Sequence, residues 1–426
     1  MRRIVWVVLA LAAVAFVPVP GGAQEQVVIT MYTGSPIGSV PNAALQEYLD
    51  LYMELNPHVR IENLGQEHNP DKLVTLFLTG EAPDIIEHDA AFIIEYYQRG
   101  FLAPVPEDLR KKAEEFFYPV STYSVTLGDV MVGIPVESNA VGLWFSRQAM
   151  EEGGVTEVPR TVIELEQVAR RLARVDSEGN LVRAGLAHSG DAPWAFTHTV
   201  LAFMIAEGGS VLDEEGRIAL DSRPVLDTIV RLAGWLQVGD FFGFEPDWRS
   251  YSAFHRGEVP FGVGYPWWMQ DQRQVYPGDY TQNFGVALLP GTESYGTVHY
   301  GHAYGVNRRS PHLDEVWRLL EWLSLESVDG ITPLGAYHAA IGTLPVHRDD
   351  VAADHFAAER AIYQGFIDNL AYARTVTEWR RFGADPDMSQ AVLSVANGEA
   401  SPAQAVETLV RTTQAAMERY GELVRE

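Results

Sequence analysis

Apolar residues alternate or recur at helical spacing so regularly that the chain divides into strands and helices taken in turn. Residues 26–32 (QVVITMY) alternate as a strand does. Leu45, Tyr48, Leu49, Tyr52 and Leu55 then fall at helical spacing, and Asn56-Pro57 stops that helix. Residues 59–64 predict a second strand, so the first unit is strand–helix–strand, the signature of a parallel sheet. Leu73, Leu76 and Phe77 form the next helix face, Gly80 ends it, and Ile85-Ile86 predicts a very short strand. Phe92, Ile93, Tyr96 and Tyr97 face the helix after that. Farther along, Thr161 and Glu164 form a capping box, and Ser401-Pro402-Ala403-Gln404 starts the last helix. No internal repeat or low-complexity tract interrupts the alternation. The pattern predicts an α/β protein with a two-lobed body.

The stretch 253–268, AFHRGEVPFGVGYPWW, organises the rest. A short helix ends at Gly257, residues 259–264 read as an apolar strand, and Tyr265-Pro266-Trp267-Trp268 follows at the strand's C-terminal end. That end is where open α/β sheets present ligand-contacting groups. Gly262 and Gly264 remove side chains where something comes close. Neighbouring side chains of an extended segment point to opposite sides, so the two tryptophans are awkward to bury together. One reading places one Trp in the core and the other under a loop; the other makes at least one a flat platform for a ligand ring.

Polar interruptions mark other strand ends. Glu87-His88-Asp89 follows Ile85-Ile86; Asp89 is a helix N-cap, a ligand contact or both, and His88 by itself reads as structural. Glu137-Ser138-Asn139 separates two apolar strands and suggests a crossing between lobes, with Glu137 exposed in a cleft. Asp191-Ala192-Pro193-Trp194 opens another helical run. His299, Tyr300 and His302 lie close together without an acidic partner at a convincing spacing, so no metal site is expected.

Composition narrows the function. The 426 residues exceed a single core, and 47% hydrophobic with 21% charged residues describe a soluble globular protein. A formal charge of −26 argues against nucleic acid or an anionic membrane surface as partner. No cysteine is present, which excludes disulfides, thiolate nucleophiles and cysteine–metal sites. Arg2-Arg3, the apolar run 4–17 and Gly21-Gly22-Ala23 predict a signal peptide, residues 1–23, cut after Ala23. With no cysteine at the cleavage site, the expected product is soluble and periplasmic, not lipid-anchored. The chain has no G-x-S-x-G elbow, H-E-x-x-H helix or phosphate loop, and no cofactor is expected. Ten tryptophans and eighteen tyrosines stand out instead. Sugar rings stack their C–H faces on aromatic planes, while carboxylates and amides bond sugar hydroxyls.

The succession DKLVTLFLTGEAPDII, GFLAPVPEDL, GDVMVGIPVESNAVGLWFSRQAM, IAEGGSVLDEEG, FHRGEVPFGVGYPWW, FGVALLPG and GVNRRSPHLDEVWRLLEWLS resembles the maltose-binding-protein-like extracellular solute-binding proteins of sugar ABC importers. The resemblance runs from Val27 to Tyr420. It implies a type II periplasmic-binding-protein-like fold: two α/β lobes joined by three hinge crossings, near residues 135–139, 288–291 and 307–312. The N-terminal lobe would comprise 24–136 with 289–309, and the C-terminal lobe 137–288 with 310–426. A carbohydrate, expected to be an oligosaccharide, would be clamped between them and delivered by a monomer to the permease subunits in the membrane. The implied ligand-binding residues are Glu87, His88, Asp89, Glu137, Asn139, Trp194, Tyr265, Trp267, Trp268, Tyr300 and His302. Phe145-Ser146-Arg147 departs from the family's Tyr-Asn-Lys, which leaves the sugar's identity open. Whether Tyr337 and Trp379 reach the site is also open. The competing reading is a secreted glycoside hydrolase with a carboxylate pair among its 57 acidic residues.

Overall fold

The computed structural model describes residues 26–65, 69–188, 193–243 and 251–424. The predicted signal peptide and the Asp191-Ala192 start of a helical run lie outside the described residues.

Two apolar cores divide the molecule. The first is built on a six-stranded sheet ordered Val59–Asn63, Val27–Tyr32, Ile85–Asp89, His302–Asn307 and Leu102–Ala103, with Ile134–Pro135 also paired to His302–Asn307. The first three strands run parallel, as strand–helix–strand units dictate. His302–Asn307 enters antiparallel because the chain returns to this sheet from the other body. The helix Val40–Leu55 buries Leu45, Leu49 and Tyr52 against the sheet; Ser39 caps its start and Asn56 its end. Gly80 closes the helix Pro70–Thr79 at φ 79°, a left-handed cap that favours glycine.

The second core surrounds a five-stranded sheet ordered Phe242–Gly243, Leu186–His188, Phe261–Gly264, Gly142–Ser146 and Phe284–Ala287. A three-stranded sheet of Ala373–Thr375, Thr297–Tyr300 and Asn139–Ala140 lies beside it. The capping boxes at Thr161 and Ser401 both form, starting the helices Val162–Leu172 and Pro402–Leu423. No helix among the described residues is long and apolar enough to cross a membrane.

The chain passes between the cores at residues 136–138, as expected there, but the other two expected crossings are misplaced. Leu289 is fully buried in the second core, its N–H donates to Asn369 Oδ1, and a Cβ on Gly291 would strike the Ala206 carbonyl oxygen. Asn307 and Ser310 are held to the first sheet by Asp84, which accepts from Ser310 Oγ at 2.6 Å and from Thr30 N–H at 2.8 Å. The second crossing is a single residue, Gly301, between Thr297–Tyr300 and His302–Asn307. The third lies beyond the helix Pro333–Ile341, where residues 342–347 run along both cores, Leu344 packing in the second and Val346 in the first. The expected lobe boundaries shift accordingly. Leu289 and Val298 pack in the second core, whereas the helices Leu313–Leu325 and Pro333–Ile341 bury Val316, Leu319, Leu320, Leu334 and Tyr337 in the first.

The three passages sit together. Ser138 N–H donates to the Leu344 carbonyl, Leu344 N–H to Asn139 Oδ1, and Val136 N–H to the His302 carbonyl. A side chain at Gly301 would meet the Glu137 carbonyl oxygen at 2.5 Å, so only glycine permits that approach.

Candidate ligand-binding site

A cavity of about 720 Å³ lies where the two bodies face each other, within the ~300–1,000 Å³ usual for ligand sites. Its walls differ in chemistry.

One wall comes from one edge of the first sheet, the C-terminal end of Ile85–Asp89 and the N-terminal end of the antiparallel His302–Asn307, with Glu137 from the crossing. Glu87 accepts from Gly34 N–H at 3.3 Å, and its carboxylate lies 3.6 Å from His302 Nδ1. The same nitrogen lies 3.3 Å from Glu137, so one imidazole stands between two carboxylates. Burial pushes the Glu87 carboxyl up from its ordinary range, against the pull of His302 and the Gly34 N–H. Asp89 is the helix cap: its side chain accepts from Ala91 N–H at 2.9 Å at the start of Ala90–Gln98, and it also lines the cavity, where it holds an ion pair with Arg380. Burial alone would push the Asp89 carboxyl up. Arg380, then His302 and the Ala91 N–H, more than offset that and hold it below the ordinary range. His88 lines the cavity but turns inward: Nδ1 accepts from Asp89 N–H, and the ring packs on Phe92 and Tyr96.

The other wall is aromatic. Trp267 stacks on Tyr265 with ring centres 4.1 Å apart and 8° between planes; Trp194 and Tyr300 meet Trp267 edge-on or tilted at 5.8 Å. Trp194 is 46% exposed at the cavity edge. Tyr265 stands behind Trp267, buried, its hydroxyl donating to the Ala195 carbonyl at 2.9 Å. It supports the platform and does not line the cavity.

Trp268 is a correction. A helical turn begins at Trp267, so successive side chains leave about 100° apart, and Trp268 enters the second core with 0% exposure. It packs on Trp144, Phe254 and His255. A Cβ on Gly262 or Gly264 would lie within 2.7 Å of its ring. The close neighbour those glycines admit is therefore the Trp268 indole itself. Trp268 is thus the core member of the tandem, and Trp267 is the one whose ring lines the cavity.

Of the eleven expected residues, Glu87, His88, Asp89, Glu137, Asn139, Trp194, Trp267, Tyr300 and His302 line the cavity, and Tyr265 and Trp268 do not. Tyr337 lines it as well, whereas Trp379 is buried in the second core. Sequence reasoning missed Arg380, His198, His338 and Thr343. Arg380 meets Asp89 across 291 residues, and no local pattern announces such a pair. His198 sits one helical turn after Trp194 in Pro193–Ala206, a spacing that marks a shared face and was available in the sequence. Among the described residues no cluster of three or more His, Asp and Glu could hold a metal ion.

The bodies also touch elsewhere. Tyr420 Oη donates to Gln98 at 2.5 Å, at the far end of the helix that Asp89 caps. Gln270 and Arg273 donate to the carbonyls of Ile341, Ala340 and Ala339.

Similar proteins agree with this architecture. A probable ABC transporter-binding protein of Deinococcus radiodurans is 22% identical over 303 residues, 68% of this chain and 70% of that one. A putative binding protein of Brucella abortus is 20% identical over 341 residues, 78% and 79% of the two chains. The sugar-binding protein MalE of Xanthomonas citri superposes with a TM-score of 0.78 at 20% identity, covering 94% of this chain and all of that one. The GacH receptor of Streptomyces glaucescens gives 0.76 at 18%, covering 92% and 99%. The fold is thus the type II, two-lobed α/β arrangement. Residues 38–328 match the family described as bacterial extracellular solute-binding protein, and the chain belongs to that family.

Proposed function

We propose that this protein captures a carbohydrate, most naturally an oligosaccharide, between its two bodies and delivers it unaltered to the membrane permease of an ABC importer. The observation that carries this reading is the pairing of an aromatic platform at Trp267, backed by Tyr265, with a facing group of carboxylates and imidazole. Flat apolar ring faces suit the first, and hydroxyls suit the second. The GacH receptor, similar in fold, is known in complex with acarbose. Glu87 and Glu137 both lie against His302, so each carboxylate is already engaged by one imidazole, which supports binding over hydrolysis. The remaining parts of the proposal are export with cleavage after Ala23, a soluble monomer in the periplasm without a lipid anchor, and lobes that rotate about residues 136–138, Gly301 and 342–347.

A thermal-shift screen of the mature protein against neutral oligosaccharides tests the ligand class, since a ligand at ~100 times its Kd adds ~2.7 kcal/mol of stability. Trp267→Ala should then weaken binding by about 1–3 kcal/mol while the protein still folds. Chromatography should recover the sugar intact. Cleaved sugar, or a Trp267→Ala variant that binds normally, would refute the reading.

A further inference from the structure

The aromatic wall contains a buried polar group with no hydrogen-bond partner among the described residues. His198 lines the cavity, is 3% exposed, and has no hydrogen-bond partner for either ring nitrogen among the described residues. Its ring stacks on Tyr300 with centres 4.8 Å apart and 26° between planes, and Trp194 and Tyr265 close round it. The hydroxyl of Tyr300 likewise has no partner among the described residues. Two polar side chains stacked together, both unpaired and both at the cavity, are unusual, because buried polar groups are nearly always hydrogen-bonded. A ring there for packing alone would more cheaply be a phenylalanine.

We propose that His198, together with the Tyr300 hydroxyl, is a specificity-determining residue that reads one hydroxyl of the bound carbohydrate. The proposal rests on the carbohydrate-binding reading above and names the part of the wall that discriminates. Trp267 accepts any flat ring face, but a donor–acceptor pair fixed in apolar surroundings accepts only a hydroxyl at the right place and orientation. Burial lowers the His198 pKa to about 3, Arg380 adding to the effect, so the ring is neutral at working pH. A neutral imidazole carries one N–H donor and one acceptor nitrogen, and a hydroxyl can use both kinds. The subsite therefore recognises a neutral, hydrogen-bonding group and gives no advantage to an anion.

The test titrates the mature wild type, His198→Phe and His198→Gln with maltotriose, cellotriose and xylotriose at pH 7, and records the melting temperature of each protein without sugar. Phenylalanine keeps the stacking and removes both nitrogens; glutamine keeps a donor and an acceptor. For the sugar that the wild type binds best, Kd should rise about tenfold in His198→Phe and clearly less in His198→Gln. The sugar-free melting temperature of His198→Phe should rise, because an unpaired polar ring has left the interior. A lowered melting temperature, with binding lost equally in both variants, would make His198 a structural residue and overturn the proposal. So would wild-type affinity in His198→Phe, leaving the carbohydrate reading intact. Failure of the wild type to bind all three sugars would count against the carbohydrate reading and take this proposal with it.

Discussion

The two walls of the cavity satisfy their polar groups in opposite ways. On the charged wall each carboxylate already has a partner within the protein: Glu87 has Gly34 N–H and His302, Glu137 has His302, and Asp89 has Ala91 N–H and Arg380. On the aromatic wall His198 and the Tyr300 hydroxyl have none among the described residues. A group already bonded must exchange one partner for another when a ligand arrives, so its net gain is small. An unbonded, desolvated group gains the full interaction. On the proposed carbohydrate reading, the abundance of charge along the first wall is therefore a poor guide to where affinity would be generated, and the apolar-looking wall is the better one.

The largest expected effect contrasts the cores behind those walls under acid. His188, His198, His255 and His299 lie in the second body, and burial lowers their pKa values to about 4, 3, 3 and 3. In the unfolded chain a histidine titrates near 6.5, so below that pH the unfolded state binds more protons than the folded one. Stability is present above pH 6.5 and is lost as pH falls toward the folded values, by about 1.4 kcal/mol per pH unit for each such histidine. In the first body His338 behaves in the same way, its pKa lowered to about 3. Amide protection, corrected for the intrinsic exchange rate at each pH, should therefore fall more in the strand Phe261–Gly264 than in Val27–Tyr32 between pH 7 and pH 5. Equal losses of protection in both strands would remove the distinction.

Next in size is Trp268→Ala. Removing a fully buried indole from the second core should cost about 3–5 kcal/mol in denaturant unfolding, with weaker binding only as far as the platform loses its footing. Set beside Trp267→Ala, it separates the support of the wall from its surface. The smallest effect is expected from Arg380→Ala, which leaves Asp89 without its cation. Both side chains are 17% exposed, so the loss should be about 1–3 kcal/mol, less than for a fully buried pair. Asp89→Asn in the same background should restore part of it while keeping the helix cap. If Arg380→Ala unfolds like the wild type, the charged wall is not held together as described.

How much of this could be read in advance depends on how local the signal was. Glu87-His88-Asp89 was legible because a polar triplet directly ends an apolar strand, and Trp267 because a proline and a glycine-rich strand precede it. The crossing at residues 136–138 was marked by Glu137-Ser138-Asn139 between apolar runs. The crossing at Gly301 has no such marker, since one residue between two strands resembles a continuous strand. Pro290-Gly291 resembled a crossing and is a turn inside the second body. His198 shares a helix face with Trp194, but Pro193–Ala206 is apolar almost all round, so that spacing did not stand out. Arg380 was invisible because its partner belongs to another body.

The hydrogen-bonded gathering of the three crossings has a mechanical result. Strands tied side to side turn about one line, and displacement grows with distance from that line. In the proposed rotation Glu137 and His302 would barely travel, nor would Asp89 and Arg380, since Asp89 pairs across strands with His302, whereas Tyr420 meets Gln98 at the far end of the helix Ala90–Gln98. A guest entering the gap would meet the near-stationary groups at the back first and the far ones last. Its grip would develop like a book shutting from the spine outward, with release beginning at the page edges.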